Sequence, residues 1–202
     1  AVFKKIPGKT VREKVLEQGY NSSTDYLTWV AKSVADVLDY AHNSNGVKPV
    51  VHRDISPENI MVNGDSVVVM DWGTSTPTSG KTQARTQILT RYYTAPEITD
   101  GKPFDGRADI YSLGRVLEYM ILGNTFIEAE GVPRKKDFEN LNMPKEVFSV
   151  LEKATRQNPE ERHRNVLEFY NALEASLKGR TAVTLRPTKR EKLVSGSNPR
   201  IA

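Results

Sequence analysis

Three side chains suited to one piece of chemistry lie close together between residues 51 and 73, in the run VHRDISPENIMVNGDSVVVMDWG: Asp54, Asn59 and Asp71. Two carboxylates and an amide oxygen are hard oxygen donors, the set that suits Mg²⁺ and a phosphate carried with it. They act together only if the chain brings them together. Residues 60–62 and 67–70 are short β-patterned runs on either side of Asn63-Gly64-Asp65, and Asn-Gly is a strong hairpin signal. Such a hairpin folds Asp71 back beside the loop that carries Asp54 and Asn59. Asp and Asn are also ordinary turn formers. The combination at this spacing is what argues for a site.

The elements that must hold this loop are legible on both sides of it. Residues 10–18 read as a helix with Val11, Val15 and Leu16 on one face and Gly19 ending it. Ser23 or Thr24 is the expected cap of a second helix running to about Asn43. Its Leu27, Val30, Ala31, Val34, Val37, Leu38 and Ala41 keep the three-four spacing of a buried face. Residues 74–90 are rich in Thr, Ser, Gln and Gly without periodicity, a loop. Residues 145–157 and 165–177 read as further helices.

Composition bounds the rest. A chain of 202 residues is long enough for one domain with a real core, with or without a tail. It has no cysteine, so neither a disulfide framework nor a Cys-ligated zinc site is available; a reducing, cytoplasmic setting is the expectation. His42, His52 and His163 are far apart in sequence and are read as structural rather than metal-binding. No apolar run has the ~18 residues of a membrane span, and no signal-peptide pattern opens the chain. The net charge of +4 is concentrated in residues 178–202, where seven basic residues face Glu191 alone, a net +6; elsewhere 22 basic residues face 24 acidic ones, a net −2. That tail has no aromatics to stack on bases. It reads as a solvated linker rather than a nucleic-acid arm. Within it Thr181, Val183 and Leu185 alternate with Ala182 and Thr184, a short extended run ended by Pro187.

His52-Arg53-Asp54 with Asn59 five positions on, followed by Asp71-Trp72-Gly73, resembles the catalytic loop and metal-binding element of the protein kinase superfamily, with Trp in place of Phe. The resemblance implies a mainly α (α+β) fold, the C-terminal lobe of a kinase, helical with a short catalytic-loop hairpin. It implies ATP and Mg²⁺ as cofactors and a protein substrate. Asp54 would accept the hydroxyl proton, while Asn59 and Asp71 hold the metal. Residues 1–8 would be the end of a strand and the hinge, with Phe3 as gatekeeper and Lys4, Ile6 and Met61 around adenine; residues 9–178 would be the lobe and 179–202 a basic tail. Arg53 would pair with a phosphate on the activation segment, for which Thr86 and Thr82 are the candidates. Thr90 would contact Asp54, and with Tyr93 it favours Ser/Thr substrates. Ser56 stands where such kinases carry a lysine, a departure that removes one cation from the γ-phosphate. Asp109, opening a helix whose buried face is Leu113, Val116, Leu117, Met120 and Ile121, would cap loop amides from below. Glu97 of Ala95-Pro96-Glu97 would form a buried ion pair with Arg162.

The glycine-rich strand-turn-strand and the strand lysine of a kinase small lobe are not found in the sequence, and the chain opens mid-strand. The nucleotide site therefore calls for a small lobe elsewhere or a partner kinase, and the isolated chain is expected to be inactive or weakly active. Two other readings stay open: a non-catalytic kinase-mimic binding module, and a small-molecule phosphotransferase of the aminoglycoside or choline kinase type. The latter share the Asp…Asn…Asp core and often Asp-Trp, but Arg53, Ala95-Pro96-Glu97 and the Asp109 helix favour protein kinases.

Overall fold

The computed structural model describes residues 7–18, 23–43, 49–74, 76–77, 92–123, 135–139, 141 and 143–178. Phe3, Lys4, Ile6, Thr82, Thr86 and Thr90 lie outside them. Seven α-helices and two small sheets are arranged, in chain order, as β1 (Lys9–Thr10), α1 (Val11–Gln18), α2 (Thr24–His42), β2 (Val50–Val51), β3 (Ile60–Asn63), β4 (Ser66–Val69), β5 (Thr76–Pro77), α3 (Pro96–Thr99), α4 (Arg107–Leu122), α5 (Lys135–Glu139), α6 (Lys145–Ala154) and α7 (Val166–Leu177), with short 3-10 turns at Trp72–Thr74 and Pro159–Glu161, all counted among the described residues.

The first helix is set by its cap. Thr10 Oγ1 accepts from the Glu13 amide at 3.1 Å while Glu13 Oε2 accepts from the Thr10 amide at 2.7 Å, a reciprocal capping box. Those bonds, backbone first, hold the Glu13 carboxyl below the usual range. Val11 and Val15, four apart, are buried, but Leu16 is 56 % exposed and leaves the expected face. One residue past Val15 turns about 100° around a helix, which carries Leu16 out of the stripe.

In α2 it is Ser23 that caps, accepting from the Tyr26 amide at 3.3 Å. The expected face is buried, with Ala35 added and Val37 only half-buried. Each fully buried Leu or Val on it contributes about 1.5–3 kcal/mol relative to exposure. This face packs on α4 and α7. Helix α4 is buried on all sides from Ala108 to Leu122 and is the centre of the lobe. The charges it carries inward are matched. Arg115 Nη1 donates to Glu118 Oε2 at 2.8 Å, and the same oxygen accepts from Tyr92 Oη at 2.8 Å. Burial pushes the Glu118 carboxyl up against the pull of Arg115.

The hairpin pairs Ile60 with Val69 and Asn63 with Ser66, and β1 adds to its other edge through Lys9 and Val62. Its turn is therefore Gly64-Asp65, with Gly64 at φ 53°, rather than Asn63-Gly64. Asn63 is recruited as the last rung of the ladder, and Gly64 alone supplies the left-handed backbone. The expected helix at residues 145–157 ends earlier, at Ala154, because the next residues leave the helix to turn around Arg162, which takes the carbonyls of Arg156 and Gln157.

His163 is buried between α6 and α7, 3.3 Å from the Val150 carbonyl and 3.7 Å from Glu168, with its ring 5.2 Å from Phe169. Burial, helped by Lys153, holds its pKa below the usual 6.5, against the opposing pull of the Val150 carbonyl and Glu168. The unfolded chain takes up this proton as pH falls through 6.5 while the folded chain resists it, so stability is present above that pH and is lost below it. His163→Phe should flatten the fall in urea midpoint between pH 7.5 and 5.5; an unchanged slope assigns the dependence to other groups.

Candidate active site

The loop at residues 52–59 is built on one carboxylate. Asp109, fully buried in the first turn of α4, accepts from the backbone amides of His52 and Arg53, both at 2.8 Å, and from His42 Nε2 at 2.8 Å. A buried carboxylate is tolerated when donors surround it, and these three come from α2 and from the loop itself. The expected amide cap is present. His42 is a partner that the sequence pattern did not reveal, because it lies 67 positions away. Gly106 leaves room for it: a Cβ there would stand 2.6 Å from His42 Nδ1.

His52 ties the loop to the end of the hairpin. Its Nδ1 accepts from the Asp54 amide at 3.3 Å, so Nε2 carries the proton and donates to the Met70 carbonyl at 2.9 Å. Its ring meets Trp72 edge-on at 4.5 Å, and Trp72 Nε1 donates to the Val69 carbonyl at 3.0 Å. From the other side the Met70 amide donates to the Asn59 carbonyl at 2.8 Å. Asp71, next in the chain, is thereby held at the level of Asn59.

Asn59 Nδ2 donates to the Asp54 carbonyl at 2.8 Å and to Asp54 Oδ2 at 3.1 Å. That commits the nitrogen end of the amide and directs Oδ1, the atom a hard cation takes, away from Asp54. Ser56 is buried, and its carbonyl accepts from the Asn59 amide at 3.0 Å, closing the loop. Met61 sits half-buried on the face of β3 opposite Ile60 and Val62. The loop is clamped to α1 as well: the Arg12 amide donates to the Pro57 carbonyl at 3.1 Å, and Arg12 pairs with Glu58 at 2.9 Å.

Two non-glycine residues among those described have positive φ, Arg53 at 70° and Asp71 at 59°. Each costs about 1–2 kcal/mol, strain that persists only where surrounding bonds over-determine it and that gathers at functional sites. Here the bonds to Asp109, Asn59 and His52 do so. The Arg53 guanidinium lies 5.8 Å from the Phe104 ring, and its Nε is buried without a hydrogen-bond partner. Burial lowers its pKa, Asp109 opposing; an arginine so placed still carries its charge.

Glu97 and Arg162 meet as expected. Nη1 and Nη2 each lie 2.7 Å from a Glu97 oxygen, and the carbonyls of Arg156, Arg107 and Gln157 take the remaining donors at 2.8, 2.9 and 3.2 Å. Among the described residues no cluster of three or more His, Asp or Glu forms a metal cage. Mg²⁺ needs none, since it keeps waters and takes one or two carboxylates with phosphate oxygens. Donors of the Asn59 and Asp71 type fit that ion. No helix of the described residues is long and apolar enough to cross a membrane.

A mainly helical lobe carrying an Asp-Asn loop and a hairpin-borne Asp is the arrangement of kinase-like phosphotransferases. The model of the protein kinase domain matches residues 2–186, and the chain belongs to that family. It is 31 % identical over 191 residues to a probable serine/threonine-protein kinase of Clostridium acetobutylicum, and 34 % identical over 134 residues to the probable serine/threonine-protein kinase PknB of Corynebacterium glutamicum. Those matches cover 85 % and 64 % of this chain but 28 % and 20 % of the relatives. The kinase domain of Mycobacterium tuberculosis PknI shares the fold, with a TM-score of 0.66 at 22 % identity over 85 % of this chain and 63 % of that one.

Proposed function

We propose that residues 9–178 form the larger lobe of a serine/threonine protein kinase, with residues 1–8 as strand end and hinge and 179–202 as a basic tail. The observation that carries this reading is the Asp109 anchor, which holds Arg53 in a strained conformation and so presents Asp54 and Asn59 as one unit. Mg²⁺·ATP, when bound, supplies the phosphoryl group and neutralises part of its charge. Asn59 through Oδ1 and Asp71 through its carboxylate would hold the metal. Asp54 takes the proton of a Ser or Thr hydroxyl on a protein substrate. Phe3, Lys4, Ile6 and Met61 border adenine, and Ser56 offers a hydroxyl in place of the usual cation. Arg53 receives a phosphate on Thr86 or Thr82, and Thr90 contacts Asp54. The names of the relatives support the Ser/Thr substrate class. The glycine-rich strands and the strand lysine come from another segment or a partner, so this chain alone binds nucleotide weakly and transfers phosphate slowly or not at all.

The test is titration of Mg²⁺·ATP into the chain, followed by NMR, beside Asp71→Ala. Loss of a metal ligand should weaken binding by about tenfold or more, at least the cost seen when ligand-supporting groups are removed. Saturable binding of equal strength by both proteins removes Asp71 from the site and sinks the reading.

A further inference from the structure

The alternating run Thr181–Leu185 has no place in the catalytic machinery, and a groove lined by none of the candidate site residues has no assigned occupant. The groove, about 340 Å³, runs between the first half of α2 and the last half of α7. Trp29, Tyr170 and Leu177 give it apolar walls. Most of its charged rim is neutralised internally: Lys178 pairs with Glu174 at 2.9 Å, Lys32 pairs with Asp36, and Tyr170 Oη donates to Glu174 at 3.0 Å. Asp25 adds one carboxylate at the start of α2, so the groove suits an occupant with apolar side chains and a basic rather than acidic character.

We propose that this groove is the seat of the chain's own segment 181–185, with Val183 and Leu185 inserted between α2 and α7. Four observations favour this occupant. Lys178, the last described residue, itself lines the groove, so the tail departs from its rim. Gly179 follows directly as the residue past the α7 cap, the position at which glycine reverses a chain after a helix. A reversed extended run then travels back along α2 from the Asp25 end toward Lys32, since Lys32 lies 5.7 Å from the Tyr170 ring at the opposite end. Period-two alternation puts Val183 and Leu185 on one face; they are the two large aliphatic side chains between Lys178 and Lys192. The protein kinase match also continues to residue 186, one beyond Leu185. Docked in this way, the segment sends the basic residues from Arg186 onward toward Asp36 and Asp39, which α2 carries on its outer side.

The chain has no cysteine, so an engineered pair is chemically clean. Val183 lies five residues past Lys178, a reach of at most ~17 Å. Thr28 lines the groove within that reach, and Thr184, one residue further along the tail, can reach it as well. Under mild oxidation the full chain with Thr28→Cys and Val183→Cys should form an intramolecular disulfide at least tenfold faster than the pair Thr28→Cys and Thr184→Cys, because alternation turns residue 184 away from the groove while an undocked tail would close both pairs alike. Equal rates overturn the proposal. So does a disulfide-linked dimer as the main product, which would assign the groove to a second copy. A second measurement does not depend on thiols: in a Trp72→Phe background, Val183→Asp should shift Trp29 emission to the red, and an unchanged spectrum overturns the proposal.

Discussion

Arg162→Met is expected to lower the unfolding free energy of this lobe by about 3–5 kcal/mol, the loss seen when one partner of a buried pair is removed. The size follows from what stays behind. Glu97 is 5 % exposed and would be left with both oxygens deprived of their 2.7 Å donors. The carbonyls of Arg156, Arg107 and Gln157 would lose their donors as well. An exposed ion pair is worth only about 0–1 kcal/mol, so the two descriptions are far apart. Urea unfolding followed by circular dichroism measures the difference; a loss below about 1 kcal/mol at unchanged m-value would show that the site relaxes to admit water. Glu97→Met combined with Arg162→Met should cost less than the two single changes summed, because no bare charge remains. Glu97 opens α3 and Arg162 follows the Pro159–Glu161 turn, so the pair joins two segments 65 residues apart.

How much of this was legible in the sequence depended on whether a residue's partner was fixed by spacing or by tertiary approach. Asp54, Asn59 and Asp71 stood out because their chemistry needs a constant local spacing, and a hairpin of four paired residues on each strand keeps Asp71 level with Asn59. The stripe of α2 was legible for the same reason, since a buried face repeats every three or four positions. Errors arose where one residue decides. Leu16 sits one step past a buried valine and faces out. Asn63 was available both to the turn and to the ladder, and pairing with Ser66 claimed it. Thr10-Val11-Arg12-Glu13 carried a capping box in plain view. His42 and the Arg115–Glu118–Tyr92 cluster could not be read at all: their partners are set by how α2, α4 and the segment before α3 meet, and a charged pair within a buried helix contradicts the apolar pattern that locates the helix.

The second large effect is expected at Asp109, where the loss should reach the candidate site before it reaches the fold. Asp109→Ala strips acceptors from the His52 amide, the Arg53 amide and His42 Nε2 together. A buried donor left without a partner costs about 1–3 kcal/mol, and water can still reach His42, which is 11 % exposed, so a total of about 3–5 kcal/mol is expected. Asp109→Asn keeps one acceptor oxygen and places an NH₂ against a donor, so it should recover no more than about half of that. The local consequence is sharper. Arg53 holds φ 70° because its amide is bound to Asp109 Oδ1; once that bond is gone, nothing offsets about 1–2 kcal/mol of left-handed strain, and the peptide can relax toward negative φ. Asp54 follows Arg53 directly, so its carboxylate would swing away from the Asn59 amide it now meets at 3.1 Å. Asp109→Asn should therefore lose the Mg²⁺·ATP response at temperatures where its helical signal is still native. Hydrogen exchange at the His52 and Arg53 amides should accelerate far more than exchange in α2. Retained nucleotide binding with those two amides still protected would show that the loop holds its conformation without Asp109.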